Sequence, residues 1–243
     1  QEARNRDRAK APQGPQVSFA EAWARLTERP GMFRLLAVIA LGTVGFGMAD
    51  VLLEPFGGMV LMMSVAETTR LTVFLACGSL IGFTLASRWL GRGARPMDMA
   101  IYGAAVGLPA FGLIVWSSTT LSVPVLVAGT LLAGFGAGLF GHGTLTATMR
   151  SAPRDQIGLS LGAWGAVQAT SAGLAIAIGG VIRDTIVANE AVGASATTPY
   201  TSVFMLEAGL LTLALLLAFP LRGKDAGRTD GDIRAEISYP AGV

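Results

Sequence analysis

Asp50 and Glu54 stand one helical turn apart on one face of the first long apolar segment, close to its outer end. An ionisable side chain inside a membrane is costly and usually faces a bundle interior or a cavity, which makes both acids candidates for proton coupling. The plainer alternative leaves them at the outer interface, hydrated or paired with Arg70. Glu67 and Arg70, three apart at a helix start, read as a surface pair. Glu207 lies about seven residues into the last apolar segment, ~10 Å deep at the rise of an α-helix, and the sequence names no partner for it. Gln168, Thr170 and Ser171 form a polar cluster in the fifth segment, suited to hydrogen bonds between helices. His142, the single histidine, sits in Gly134-Phe-Gly-Ala-Gly-Leu-Phe-Gly-His-Gly143. A neutral imidazole can ligate a metal axially or relay a proton. Gly141 and Gly143 on either side would leave room for a flat ligand. The competing reading is a histidine hydrogen-bonded between helices.

Enzyme signatures are absent from this inventory. The sequence holds no Ser/His/Asp arrangement, no G-x-x-x-x-G-K-[ST] loop and no metal-binding His pair, so a non-enzymatic role is expected. The lone Cys77 excludes an intramolecular disulfide and a cysteine zinc site; it reads as a small buried apolar side chain. The basic residues share no face, which argues against nucleic-acid binding.

The elements that must carry these residues are membrane helices. The 243 residues are 52% hydrophobic and 14% charged, with a mean hydropathy of +0.56, where soluble domains carry about 25% charged residues. Six apolar segments, roughly Arg34–Leu53, Leu71–Leu90, Met99–Trp116, Val123–Met149, Ile157–Ile182 and Tyr200–Leu221, approach the ~20 residues needed to cross a bilayer core. Sixteen of the eighteen Lys and Arg residues then fall on one side, leaving Arg70 and Arg183 on the other. By the positive-inside rule both termini are expected in the cytoplasm. No signal-peptide core is visible, so the first span would serve as the insertion signal.

Residues 1–16 read as a disordered basic segment, 17–30 as a helix along the cytoplasmic membrane surface, 31–222 as the six-helix transmembrane domain and 223–243 as a cytoplasmic tail. The surface helix rests on the apolar face of Phe19, Ala22, Trp23 and Leu26, with Ser18 and Glu21 at capping-box spacing. Glu54-Pro-Phe-Gly-Gly58 is expected to break the first helix, and Asp184–Pro199 to form the longest outer loop. Glycine is abundant at 32 residues. The pairs Gly78/Gly82, Gly103/Gly107, Gly134/Gly138 and Gly158/Gly162 have the small-xxx-small spacing that lets membrane helices approach closely. Gly45-Phe-Gly47 and Gly134-Phe-Gly136 are 89 residues apart, an odd number of spans, which would make a 3+3 inverted repeat of the secondary-transporter kind.

Two stretches carry a resemblance. Gly82-Phe-Thr-Leu-Ala-Ser-Arg-Trp-Leu-Gly-Arg92 resembles the cytoplasmic loop motif of major facilitator transporters through Gly82, Arg88, Gly91 and Arg92, with Ser87 where the family carries Asp. Gly45-Phe-Gly-Met-Ala-Asp-Val-Leu-Leu-Glu-Pro-Phe-Gly-Gly58, Thr68-Thr-Arg-Leu-Thr72 and Gly141-His-Gly-Thr-Leu-Thr-Ala-Thr-Met149 closely resemble the PucC/LhaA-like branch of that superfamily, from about Phe19 to Leu221. The resemblance implies the second, six-helix half of a twelve-helix molecule in a bacterial photosynthetic inner membrane. It implies an assembly factor that binds or delivers bacteriochlorophyll, with light-harvesting antenna polypeptides, the reaction-centre complex, membrane lipids and the missing N-terminal half as partners. His142 would be the axial ligand to the pigment magnesium, and spans one and four would face the missing half. The alternatives are a proton-coupled secondary transporter of a small solute, using Asp50 or Glu54, and a structural subunit of a pigment complex.

Overall fold

The computed structural model describes residues 24, 31–152, 156–189 and 195–222. The expectations for residues 1–16, 17–30 and 223–243 fall, Ala24 aside, outside the described residues. From residue 31 on, the described residues form seven α-helices in order: α1 Met32–Gly47, α2 Ala49–Val60, α3 Val65–Gly91, α4 Pro96–Thr120, α5 Val123–Ser151, α6 Ile157–Asn189 and α7 Thr198–Ala218, closed by a 3-10 turn at Phe219–Leu221. No strand occurs among the described residues. Because α1 and α2 run on as one span, six spans among the described residues are long and apolar enough to cross a membrane. The chain is an all-α, multi-pass membrane protein.

Helix starts follow local chemistry. Prolines open α4, α5 and α7 within their first two positions, where a missing N–H costs nothing. Ser64 and Glu67 close a capping box on α3, the Ser64 N–H donating to Glu67 Oε2 at 2.8 Å. Glu67 is therefore engaged by its own helix start, and the S-x-x-E spacing that shows this is plain in the sequence.

Two boundaries differ from the sequence reading. Glu54-Pro-Phe-Gly-Gly58 does not break the first span; α2 continues through Pro55 to Val60. Membrane helices tolerate an internal proline when neighbouring groups satisfy the freed backbone. The interruption lies at Met48, between α1 and α2. Span five also outlasts its expected end, so Asp184–Asn189 is helix rather than loop. There Thr185 and Asn189 donate to carbonyls one turn back.

Glycine sets the packing distances. A methyl at Gly78 or Gly82 would strike backbone atoms of Leu131 or Phe135 on α5, and one at Gly134 or Gly138 would strike Leu75 or Ser79 on α3. On the other side of α5, Gly129, Gly136 and Gly143 recur every seven residues against the α4 backbone. Two glycine stripes on one helix thus bring α3 and α4 into close contact with it, as close packing in lipid requires. The principal span pairings are first with fifth and sixth, fourth with second and third, and third with sixth.

Gly158 and Gly162 behave otherwise. They meet open space on α6, as do Gly165, Gly173 and Gly180. Spans two and five are the least enclosed, with 22% and 17% of their most apolar windows buried against 50% and 44% for spans one and four. The unpacked faces therefore belong to spans two and five, which reverses the expectation for spans one and four. Cys77 is exposed on α3, not buried. The core has two main layers, one around Phe56, Phe111 and Phe204, the other around Val38, Ile39 and Phe140. Phe46 packs against both layers, with ring centroids 6.3 Å from Phe111 and 6.0 Å from Phe140.

Candidate membrane-embedded site

At Met48 span one keeps helical dihedrals (φ −72°, ψ −33°), but the Ala49 N–H leaves the helix ladder, and this organises the acids. Restarting a helix at Ala49 leaves first-turn N–H groups in need of acceptors. Glu207 supplies one from α7: the Ala49 N–H donates to Glu207 Oε1 at 2.7 Å, and the residue is 0% exposed. A carboxyl oxygen there also lies at the positive end of the α2 dipole. Glu207 Oε2 has no hydrogen-bond partner. The partner that the sequence did not name is thus backbone.

Asp50, one residue past this contact, lines a cavity of about 220 Å³ between spans one, two, four and five. Thr43, Phe46, Ser79, Phe140, Thr144 and Gln168 complete its character, with Gly141 at its wall. Ser79 donates to the Gly134 carbonyl at 3.1 Å, and Thr144 receives Trp164 Nε1 at 3.3 Å while donating to carbonyls of its own helix. Asp50 is the single formal charge in this lining. The cavity suits a small cationic or hydrogen-bond-donating group. It is smaller than the ~300–1,000 Å³ of pockets that enclose drug-sized ligands. Gln168 serves this wall rather than a bond between helices, while Ser171 is buried and Thr170 exposed.

Glu54 is not in the cavity. One turn beyond Asp50, its Oε1 accepts Thr72 Oγ1 at 2.7 Å, which ties α2 to α3. Asp50, Glu54 and Glu207 are therefore gathered on α2 and its joint, though only Asp50 faces open space.

His142 stands apart from the cavity lining. Its ring lies 4.1 Å from that of Phe83, and its Nδ1 is buried without a partner. The side chain as a whole is half-buried. Gly141 has no atom within 4 Å of a would-be Cβ, but Gly143 is filled by the α4 backbone at Pro96 and Ala100. Of the two flanking glycines only Gly141 meets open space, and it does so at the wall of the Asp50 cavity. The hydrogen bond between helices expected as the alternative is absent among the described residues.

The loop-motif residues are not one cluster. Gly82 is buried at the α3–α5 crossing, nine residues from Gly91. Arg88, Gly91 and Arg92 are exposed at the helix end, where Gly93 takes the left-handed φ of 92° and the Trp89 and Leu90 carbonyls accept the next N–H groups. At the same end of the bundle Arg222 Nε contacts Asp98 Oδ1 at 2.6 Å, joining α4 to the residue after the closing turn. Sequence spacing could not reveal that pair, whose members are 124 positions apart. No group of three or more potential metal ligands occurs among the described residues.

Comparison with known proteins bears on the whole of this arrangement. The family described as PUCC protein matches residues 1–226. Protein PucC of Rhodovulum sulfidophilum is 61% identical over 200 residues, covering 81% of this chain and 44% of that protein. Protein PucC of Cereibacter sphaeroides is 53% identical over 221 residues, covering 90% and 48%. A Rhodobacter capsulatus protein named for the puhA-bchM intergenic region is 43% identical over 214 residues, covering 86% and 45%. The chain spans about half the length of the curated relatives it matches.

Proposed function

As this chain belongs to the PucC family, we propose that it is the six-helix half of an assembly factor for photosynthetic antenna and reaction-centre complexes, working by binding bacteriochlorophyll rather than by catalysis. The observation that carries the pigment reading is His142: a single, half-buried imidazole inside the bundle, its Nδ1 without a hydrogen-bond partner and the Phe83 ring against it. The magnesium of a bacteriochlorophyll takes an axial ligand, and a neutral imidazole is a fitting donor. With Nδ1 buried, Nε2 is the nitrogen available to it. Phe83, already against the imidazole, would offer an aromatic contact to the ring system. The pigment would lie along the open side of α3 and α5, because the cavity at Asp50 is too small for a macrocycle. Open apolar faces on α3 and α6 would receive antenna helices, lipid and the N-terminal half of the full-length protein. The setting would be the photosynthetic inner membrane, with both termini cytoplasmic as the arginine sorting implies.

Gentle purification from a pigment-producing host, followed by an absorption spectrum and pigment quantitation, tests this reading. His142→Leu should lower pigment occupancy and shift the absorption band. Unchanged spectrum and stoichiometry would reject the ligand role. Recovery of no antenna or reaction-centre polypeptide with tagged protein would reject the assembly role.

A second reading draws on Asp50, the one charge lining the cavity. In it the chain is half of a proton-coupled transporter of a small solute, and Asp50→Asn abolishes coupled uptake.

A further inference from the structure

Both α3 and α4 pack backbone to backbone on α5, yet they scarcely touch one another. They splay, and on the side of α3 turned from the Asp50 cavity they leave an apolar crevice with α5 as its floor. Leu131 is exposed and Phe135 half-buried on that floor, and a small core of Ala86, Leu90, Met99 and Leu139 underlies the cytoplasmic end. Cations stand at that end. Arg88 is in the last turn of α3, Arg95 is the residue that starts α4, and Arg92 lies at the turn joining them. We propose that this crevice binds an anionic phospholipid, with its phosphate between Arg88 and Arg95, its glycerol ester accepting from the Tyr102 hydroxyl, and an acyl chain against Ile81 and Phe135.

Charge and register select this occupant. All three arginines are exposed, and none has an ion pair or a side-chain hydrogen bond among the described residues. The nearest acid in sequence, Asp98, is taken by Arg222. Seven residues, or ~10 Å along a helix, separate Arg88 from Ile81 on α3 and Arg95 from Tyr102 on α4, and both of these deeper side chains are exposed. Each wall therefore carries a cation at headgroup depth and a large side chain within the hydrocarbon. Helical side chains lean towards the N-terminus of their helix, so Tyr102 leans back to the mouth, where its hydroxyl has no partner among the described residues. Orientation in the membrane accounts for a positive cytoplasmic side, and a helix C-terminus favours Arg88. Neither requires unpaired cations on both walls of one crevice above an open apolar floor. Basic pockets between helices on the cytoplasmic side suit anionic headgroups, and the guanidinium fork matches phosphate oxygens. A second copy of the chain would cover the floor and leave those charges unanswered. The site shares no residue with the Asp50 cavity or with His142 and Phe83.

Native mass spectrometry of the full chain tests this. Protein stripped of lipid in mild detergent is titrated with dioleoylphosphatidylglycerol or dioleoylphosphatidylcholine, and bound lipid and oligomeric state are read together. The parent should bind phosphatidylglycerol about tenfold more tightly than phosphatidylcholine. Arg88→Gln with Arg95→Gln should weaken phosphatidylglycerol about 30-fold, at roughly fivefold for each cation beside an anionic headgroup. Arg34→Gln with Arg70→Gln removes the same charge from exposed sites elsewhere and should stay within about twofold of the parent. Tyr102→Phe should weaken both lipids about fivefold, the scale of one hydrogen bond. Equal binding of the two lipids by the parent overturns the proposal, as does an equal loss in the two arginine pairs. An unchanged affinity in Arg88→Gln/Arg95→Gln overturns it as well. Displacement of phosphatidylglycerol by an equal concentration of inorganic phosphate would mark a bare anion site. A lipid-free dimer lost in Arg88→Gln/Arg95→Gln would give the crevice to a second copy, and either result overturns the lipid. Should Arg88→Gln/Arg95→Gln melt below the parent, Tyr102→Phe decides: an unchanged affinity for both lipids overturns the site.

Discussion

Replacing Gly82 by alanine separates packing from loop function. Gly82 matches the opening glycine of a cytoplasmic loop motif, yet it sits inside α3 with its α-carbon against α5. A methyl there would meet the Phe135 carbonyl oxygen and the Leu139 amide nitrogen. These are backbone atoms, so no rotamer change relieves the overlap and the two helices must part. Overpacking of this kind costs about 1–3 kcal/mol, partly offset by the ~1 kcal/mol that alanine gains over glycine in a helix. A net loss of up to about 2 kcal/mol corresponds to a melting temperature lower by up to roughly 8 °C for a domain of this size. Gly158→Ala is the matched control, since no atom lies within 4 Å of its would-be Cβ. It should melt at the parental temperature or slightly above. Thermal unfolding of the purified chain in one detergent measures both. Equal melting of the two variants would refute the argument that backbone contact, and not the glycine count, sets the α3–α5 distance.

Gly162→Leu should leave the isolated chain's melting within about 0.5 kcal/mol of parental, as an exposed substitution does, yet block capture by the separately expressed N-terminal half of a full-length relative; undiminished capture would remove α6 from the interface. Arg222→Ala should cost less than about 1 kcal/mol, since its partner Asp98 is met by a side chain 41% exposed; a larger loss in denaturant titration would mean that the pair locks α4 to the end of span six. Arg92→Cys and Ser195→Cys, each in the Cys77→Ser background, should react with an impermeant reagent from opposite sides of sealed vesicles. Labelling from one side would end the topology with both termini in the cytoplasm.

Periodicity and charge carried the architecture, because lipid leaves few options for a stretch of about 20 apolar residues. All six spans were legible, and the glycine pairs pointed to close helix contacts at α3, α4 and α5. The errors arose where local rules met tertiary context. Pro55 and the glycines after it look like a stop signal, but α2 continues because its packing against α3 and α6 outweighs a weak local preference. The true interruption at Met48 has no breaker residue of its own; it became possible because Glu207, 159 positions away in sequence, supplies an acceptor. Gly158/Gly162 has the same spacing as Gly78/Gly82, and no local feature tells a stripe that packs inside the chain from one that does not. Cys77 failed similarly, since a helix with apolar residues all round hides which face is inward. At His142 the flanking glycines suggested symmetric room, whereas one flank is filled by α4.

The division of glycines has a consequence for how a half of this kind can function. Where small stripes are matched, at α3–α5 and α4–α5, the bundle is fixed by backbone contact and has little freedom to slide. Span four is gripped on both sides and anchors the fold. Span one is held by side chains instead: Phe46 joins its inner part to both core layers, while its outer part buries Leu52, Leu53 and Phe56 in one of them and adds the Glu207 and Glu54 contacts. The exchange of partners under a shift of three spans, first–fifth to fourth–second and first–sixth to fourth–third, is the pattern an inverted repeat would give. Yet Met48 and its 89-residue counterpart Ala137 differ, since α5 runs unbroken through that point. Span four thus runs unbroken, whereas span one leaves the helix ladder at Ala49. The acids gather at span one, and the lone imidazole sits on span four, which backbone contact holds in place.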